Sequence, residues 1–354
     1  MGFTADHEYA MPQAPRLYPL KLDPIYKEKV WGGRSLTRFG RILPGNTQTL
    51  IGESWELADL DQPAVTGGGD ARSTIADGPL AGCTLHELTK QYGTAITGDL
   101  PLADGGNFPL LVKFLDAREN LSVQVHPSPE YAAEHPGAQL KNECWYILAA
   151  KPGAVIYKGV RPGTTPKEFR NAIDEKNIEQ LLIRVEVQPG QIHYLPSGTC
   201  HALSGGCLVA EVQTPSDTTF RVYDWDRTNR QLHLEQAMQC IRFSPPNVAG
   251  NEKNITVKGQ NAITTHLVIC DHFRIDRIDV GSGFEGNIDS RQPTVWVILS
   301  GNGIFDCHKT AEVSFDPGQT LLLPPGMQGG RVRTHEPSQW LQISFPQAES
   351  KRIA

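Results

Sequence analysis

No two of the seven cysteines in this 354-residue chain form a Cys-x-x-Cys pair, and their odd number and scatter give no disulfide framework. A reduced, cytoplasmic setting is therefore expected. No apolar run approaches the ~18 residues that a membrane-spanning helix requires. There is no basic run either. The 33 Lys and Arg against 39 Asp and Glu give a formal net charge of -6, spread along the chain. That excludes the electrostatic footprint of a partner for nucleic acid or anionic membrane. The opening stretch MGFTADHEYAMPQAPRLYPL lacks the charged-then-apolar pattern of a secretory signal, and Asp6 stands where N-myristoylation needs Ser or Thr. Any chemistry on an anionic substrate must rely on a local pocket of cations.

Turn formers, by contrast, are plentiful. With 34 Gly and 26 Pro between short, β-branched apolar segments, the chain reads as mostly β. Strands are expected over 108–116, 121–126, 143–150, 153–158, 183–188, 191–195 and 207–213, then over 273–280, 293–299 and 319–323. Helices are expected over 84–92 and 166–182, the second with Thr165 as N-cap and Pro166 at its first position. The length favours two domains. FSPPNVAGNEKN, 243–254, is the best boundary. The expected division is a flexible leader at 1–15, a catalytic domain with helical insertions at 16–245, a linker at 246–254 and a second barrel at 255–354.

An internal repeat joins the halves. Pro189-Gly190-Gln191, followed after three residues by Leu195-Pro196-Ser197-Gly198, returns as Pro317-Gly318-Gln319 and Leu323-Pro324-Pro325-Gly326. Trp145-Tyr146-Ile147-Leu148 likewise resembles Trp296-Val297-Ile298-Leu299. Two copies of one antiparallel jelly-roll barrel account for both matches.

The first copy carries the polar residues. Gly190, Pro196-Ser197-Gly198 and His201 are spaced like the second half of the cupin signature, whose glycines turn the chain so that the histidine points into the barrel. Gln124 and His126 lie two apart on a strand and so share a face, and Glu143 opens the next apolar strand. Two imidazoles, a carboxylate and an amide oxygen without thiolate suit zinc, manganese or iron(II). Offsets taken from the repeat place Ile275, Arg277, Thr294 and Gly329 opposite Gln124, His126, Glu143 and His201, so the second barrel is expected to hold no equivalent metal. Around the first site stand Lys113 in an apolar strand, Lys141 two residues before Glu143, Arg221 and Ser122. Together they make a cradle for a phosphate dianion and a developing enediolate. A cupin of this kind could instead activate oxygen on iron(II), or bind a sugar without turnover.

FPLLVKFLDARENLSVQVHPSPEYA, KNECWYILAAKPGA, the Gly190–His201 turn and LVAEVQTPSDTTFRVYDWDR together resemble the type I mannose-6-phosphate isomerases, in their short bacterial branch. KVWGG (29–33) and GESWELAD (52–59) add weaker support, and the likeness spans roughly residues 18–245. The resemblance implies a zinc-dependent aldose–ketose isomerase interconverting mannose 6-phosphate and fructose 6-phosphate through a cis-enediol, acting as a monomer or homodimer. It implies Gln124, His126, Glu143 and His201 as zinc ligands and Ser122 and Lys113 as phosphate contacts. It further implies Arg221 as the essential arginine, with Lys141 and Glu211 as the two candidates for the proton-transfer base. His201 and Glu211 are ten residues apart, one more than in the longer eukaryotic-type branch.

Overall fold

The computed structural model describes residues 16–61, 71–248, 250–288, 291–307, 312–325, 327 and 330–346. The expected leader, 1–15, lies outside them. The fold is two antiparallel barrels, each made of two facing sheets. In the first, one sheet runs in the spatial order Ile25–Gly33 (β2), Ile51–Leu57 (β3), Leu111–Ala117 (β4), Cys207–Gln213 (β11), Glu143–Ala150 (β6) and Ile192–Leu195 (β9). The other runs Phe220–Tyr223 (β12), Val123–Val125 (β5), His201–Leu203 (β10), Val155–Val160 (β7) and Leu182–Glu186 (β8).

The second barrel repeats this order. Its larger sheet runs Leu20–Lys21 (β1), Thr320–Leu323 (β20), Thr294–Ser300 (β17), Ser338–Ser344 (β22), Arg274–Val280 (β15), Ala262–Ile269 (β14) and Glu252–Lys258 (β13). Its smaller sheet runs Glu285–Ile288 (β16), Gly330–Thr334 (β21), Gly303–Asp306 (β18) and Glu312–Phe315 (β19). The sequence repeat is reproduced bond for bond. Gly190 and Gly318, at φ 89° and 81°, each donate at 2.8 Å to the carbonyl of the isoleucine two residues after the matched tryptophan, Ile147 or Ile298. In both turns the glutamine side chain accepts a 2.9 Å bond from the amide three residues earlier.

The ladder registers revise the positions equivalent to the expected ligands. Glu211 lies opposite Trp145 and Gln342 opposite Trp296, and Val332 precedes Gln342 by the same ten residues as His201 precedes Glu211. Gln124 pairs with His201, and Gly286 with Val332. The counterparts of Gln124, His126, Glu143 and His201 are thus Gly286, Ile288, Thr294 and Val332. Thr294 agrees with the sequence offset. Ile275 and Arg277 do not, because β15 is the equivalent of β4, and loops of unequal length intervene before β16. Gly329 lies outside the described residues. Gly286, Ile288 and Val332 offer no side-chain donor at all.

The expected helix at 84–92 forms as Leu85–Tyr92, closed at its start by a capping box between Thr84 and Glu87. The expected helix at 166–182 is shorter. Thr165 caps it as read, but it ends at Asp174, and a 3₁₀ turn at Ile178–Leu181 leads into β8. Lys176 adopts a left-handed φ of 57°, its amide bonds Ile173 O and that of Asn177 bonds Ala172 O, a Schellman closure without the usual glycine. Apolar periodicity ran through this stop because the signal that ends the helix is a backbone conformation.

One connection links the barrels from the start of the chain. Leu20 and Lys21 pair with Leu322 and Leu321 of the second barrel before the chain crosses to β2 in the first. Leu20 is fully buried. Leu20→Ala is expected to cost about 2–5 kcal/mol of stability, read as a lower denaturant midpoint with unchanged metal content. An unchanged midpoint would mean that this strand contributes nothing to the core.

Candidate metal centre and active pocket

Three elements bring the expected ligands together. His126 follows β5, His201 opens β10 beside it, and Glu143 opens β6 on the facing sheet, all within the first barrel. His126 Nδ1 lies 2.9 Å from Thr218 O and His201 Nδ1 2.7 Å from Thr199 O. A carbonyl only accepts, so in each ring Nδ1 carries a proton, which leaves Nε2 as the nitrogen that a neutral imidazole offers to a metal. Both Nε2 atoms face Glu143, His126 at 3.3 Å from Oε2 and His201 at 2.9 Å from Oε1. Burial, reinforced by the Lys141 charge, pushes His126 down to about 4 in spite of Glu143, so the ring is neutral. Burial alone would raise Glu143, but the Lys141 ammonium, first among the opposing charges, holds the carboxyl well below its ordinary range.

The Glu143 side chain is sealed from solvent, yet neither of its oxygens makes a hydrogen bond of adequate geometry. The Lys141 ammonium, 2.6 Å from Oε2, offsets part of the cost of burying this carboxylate, and a metal cation would offset the rest. Its oxygens and the two imidazole nitrogens lie within 4.8 Å of one another, a donor set that fits a divalent metal ion. Gln124 joins them from β5, its amide nitrogen 3.3 Å from His201 Nε2, while its oxygen accepts from Ser122 Oγ at 3.4 Å. A half-turn of the amide would present the oxygen instead.

A cavity of about 200 Å³ opens above this centre, and all five remaining expected residues line it: Lys113, Ser122, Lys141, Glu211 and Arg221. Lys141 Nζ sits 2.6 Å from Glu143 Oε2 and 3.8 Å from Glu211 Oε1. Burial would lower it, and these two carboxylates raise it instead, so it is an ammonium. Glu211 points into the pocket despite the longer spacing from His201. Trp145 Nε1 donates to its Oε2 at 2.7 Å, and burial raises its pKa against the pull of Lys141 and Lys113. Arg221 is held by its Nη1 on Gln231 O at 2.7 Å, while its buried Nε has no partner. Lys113 is not a bare cation. Its Nζ lies 2.9 Å from Asp217, 3.9 Å from Glu53 and 4.0 Å from Glu211, and 4.5 Å above the Trp55 ring. Those carboxylates raise its pKa against burial.

Glu53, Asp217, Arg230, Lys29 and Trp31 also line the pocket, and sequence reasoning had not singled them out. A signal existed in KVWGG and GESWELAD, which hold Lys29, Trp31 and Glu53. It could not be read without knowing that β3 pairs with β4 and β2 with β3. Asp224, fully buried, accepts from Arg230 Nε at 2.8 Å and pairs with Arg227 at 3.1 Å, which fixes Arg230 at the rim.

Comparison with known proteins agrees with this geometry. The family model of the phosphomannose isomerase type I catalytic domain matches residues 19–153. The mannose-6-phosphate isomerase ManA of Bacillus subtilis is 34% identical over 316 residues, which cover 87% of this chain and 94% of that protein. The probable mannose-6-phosphate isomerase GmuF of the same organism is 43% identical over 231 residues, 63% of this chain and 68% of that protein. The crystal structure of the mannose 6-phosphate isomerase from Bacillus subtilis aligns with a TM-score of 0.77 at 31% identity, covering 92% of this chain and 99% of that one. One-third identity over nearly the whole of a relative, on the same two-barrel frame, places the chain in the type I mannose-6-phosphate isomerase family.

Proposed function

We propose that this pocket carries the reaction of the family, the interconversion of mannose 6-phosphate and fructose 6-phosphate, and that Gln124, His126, Glu143 and His201 hold zinc beneath it. The observation that supports this most is the pair of buried, hydrogen-bond-free oxygens of Glu143 facing two imidazole lone pairs. When bound, a zinc ion supplies Lewis acidity toward a sugar oxygen.

Aldose–ketose isomerisation takes the proton from C2 of the open-chain aldose, leaves a cis-enediol, and returns a proton to C1. Lys141 and Glu211, 3.8 Å apart, act as the proton-transfer pair. The carboxylate, whose pKa burial raises, accepts the carbon-bound proton, and the ammonium beside it keeps the charge balanced. Arg221, with a donor still free, steadies the negative charge that develops on the enediolate oxygens. Ser122 and Lys113 hold the phosphate end, and the carboxylates around Lys113 fix where its ammonium points.

The test is an assay of the purified chain with mannose 6-phosphate, following fructose 6-phosphate before and after chelation and after zinc is returned. Activity that disappears on chelation and recovers with zinc is expected. A zinc-replete protein without turnover would overturn the isomerase reading. Recovery with iron(II) or manganese but not with zinc would overturn the choice of metal.

A further inference from the structure

We infer that the looped-out segment Lys29–Gly32 of β2 is a substrate-positioning element of the pocket, and that Lys29 joins Ser122 and Lys113 in taking the substrate's phosphate oxygens, from the pocket mouth. The inference rests on the isomerase reading and adds a binding residue to it.

The backbone sets this segment apart. Lys27 pairs with Glu53, but Glu28 and Gly33 then both face Ile51, so residues 29–32 leave the ladder as a bulge. Both ends are pinned. The Lys29 amide donates to Leu50 O at 3.1 Å, and Trp31 O accepts from the amides of Arg118 and Glu119 at 3.0 and 3.1 Å. Two glycines permit the close approach between bulge and sheet. A Cβ on Gly32 would lie 2.4 Å from Gly52 N, and one on Gly52 would lie 2.5 Å from Lys29 Cβ and 2.8 Å from the Trp31 ring. Any side chain at either position would force the bulge and the sheet apart.

The bulge delivers a charged end and an apolar wall. Lys29, Val30 and Trp31 all line the cavity, and Trp31 packs in one apolar cluster with Leu115 and Leu121, which line it too. Lys29 differs from the deeper lysines in how its charge is used. Lys113 is surrounded by three carboxylates and Lys141 lies between two. Lys29 has one ion-pair partner among the described residues, Glu53 Oε1 at 3.1 Å, and its side chain is 20% exposed. An ammonium has three donors, so it can turn toward a dianion. Glu53 gives up its Oε1 contact, the largest favourable charge on it, but its Oε2 keeps the Trp55 Nε1 bond at 2.7 Å and Lys113 at 3.9 Å.

The experiment measures inorganic phosphate binding by titration calorimetry, alongside steady-state kinetics with mannose 6-phosphate, in the zinc-loaded wild type, Lys29→Met, Lys29→Arg and Gly52→Ala. Lys29→Met is expected to raise the phosphate Kd and the KM together by roughly 10- to 100-fold, the range for one hydrogen bond to a charged group, with kcat nearly unchanged. Lys29→Arg should restore most of the affinity. Gly52→Ala should raise KM without altering any charge, by displacing the bulge. Phosphate binding to Lys29→Met as tight as to the wild type would overturn the inference. So would a loss confined to kcat, which would make Lys29 only a counter-ion for Glu53. Should Gly52→Ala fail to fold, the two Lys29 variants decide alone. A wild type without turnover would count against the isomerase reading, while the phosphate titration would still decide the role of Lys29.

Discussion

Glu143→Ala is expected to give a folded protein that retains almost no divalent metal and isomerises mannose 6-phosphate more than about a thousandfold more slowly, since several kcal/mol of transition-state stabilisation depart with the ion. Glu143 faces the proposed centre with both oxygens, and beyond the two imidazoles its close partner is the Lys141 ammonium, 2.6 Å from Oε2. Its removal leaves His126 Nε2 facing the Lys141 ammonium at 3.2 Å and His201 Nε2 facing the Gln124 amide at 3.3 Å. Two neutral imidazoles and an amide without a carboxylate bind a divalent ion far more weakly, because the fixed negative charge that offsets desolvation of the ion is gone. Lys141 keeps Glu211 as counter-ion at 3.8 Å, which limits the structural damage. Metal content after dialysis, with near-ultraviolet dichroism as the check on folding, reads the outcome. A folded variant with full metal occupancy would show that the ligand set lies elsewhere.

Arg221→Ala is expected to act on a different quantity. The guanidinium is mostly buried, anchored by one nitrogen on Gln231 O, with a second nitrogen lacking a partner. Its main-chain amide donates to His233 Nδ1 at 3.2 Å, which fixes the root of the side chain. Burial, then the nearby Arg230 charge, lowers its pKa against Asp224, yet from so high a starting value that it remains a cation. A preorganised donor of this kind is worth most where charge appears during the reaction. The expected loss is therefore about 10²- to 10³-fold in kcat, with KM and metal content close to wild type. A rise in KM at constant kcat would move Arg221 to the phosphate end. Loss of metal would make it part of the support of the centre.

Much of the fold was legible because it is carried by local patterns. The turn glycines of the repeat, the Thr84 and Thr165 caps and the apolar strands on either side of them act within a few residues, and the structure follows them closely. Where reading by pattern went astray, the deciding feature was not a side-chain property. The helix after Thr165 stops at a left-handed lysine, and the counterparts of Gln124 and His126 shift from β15 to β16 because the two copies have loops of unequal length. Neither leaves a trace in hydrophobic periodicity.

For the site, the sequence by itself determined which chemistry was available: two histidines, a glutamate and a glutamine without thiolate, with lysines and an arginine close by in a chain of net negative charge. Spacing by two on a strand was enough to put Gln124 and His126 on one face. The tertiary structure alone decided how those groups are used. Only barrel closure sets Glu143 against two imidazoles from the facing sheet, and only the Thr218 and Thr199 carbonyls settle which nitrogen each imidazole presents. The same closure surrounds Lys113 with three carboxylates from two distant segments and leaves Lys29 with one. The physical reason is that residue type fixes what a group can donate or accept, whereas its charge state and free valences depend on neighbours that are far away in sequence.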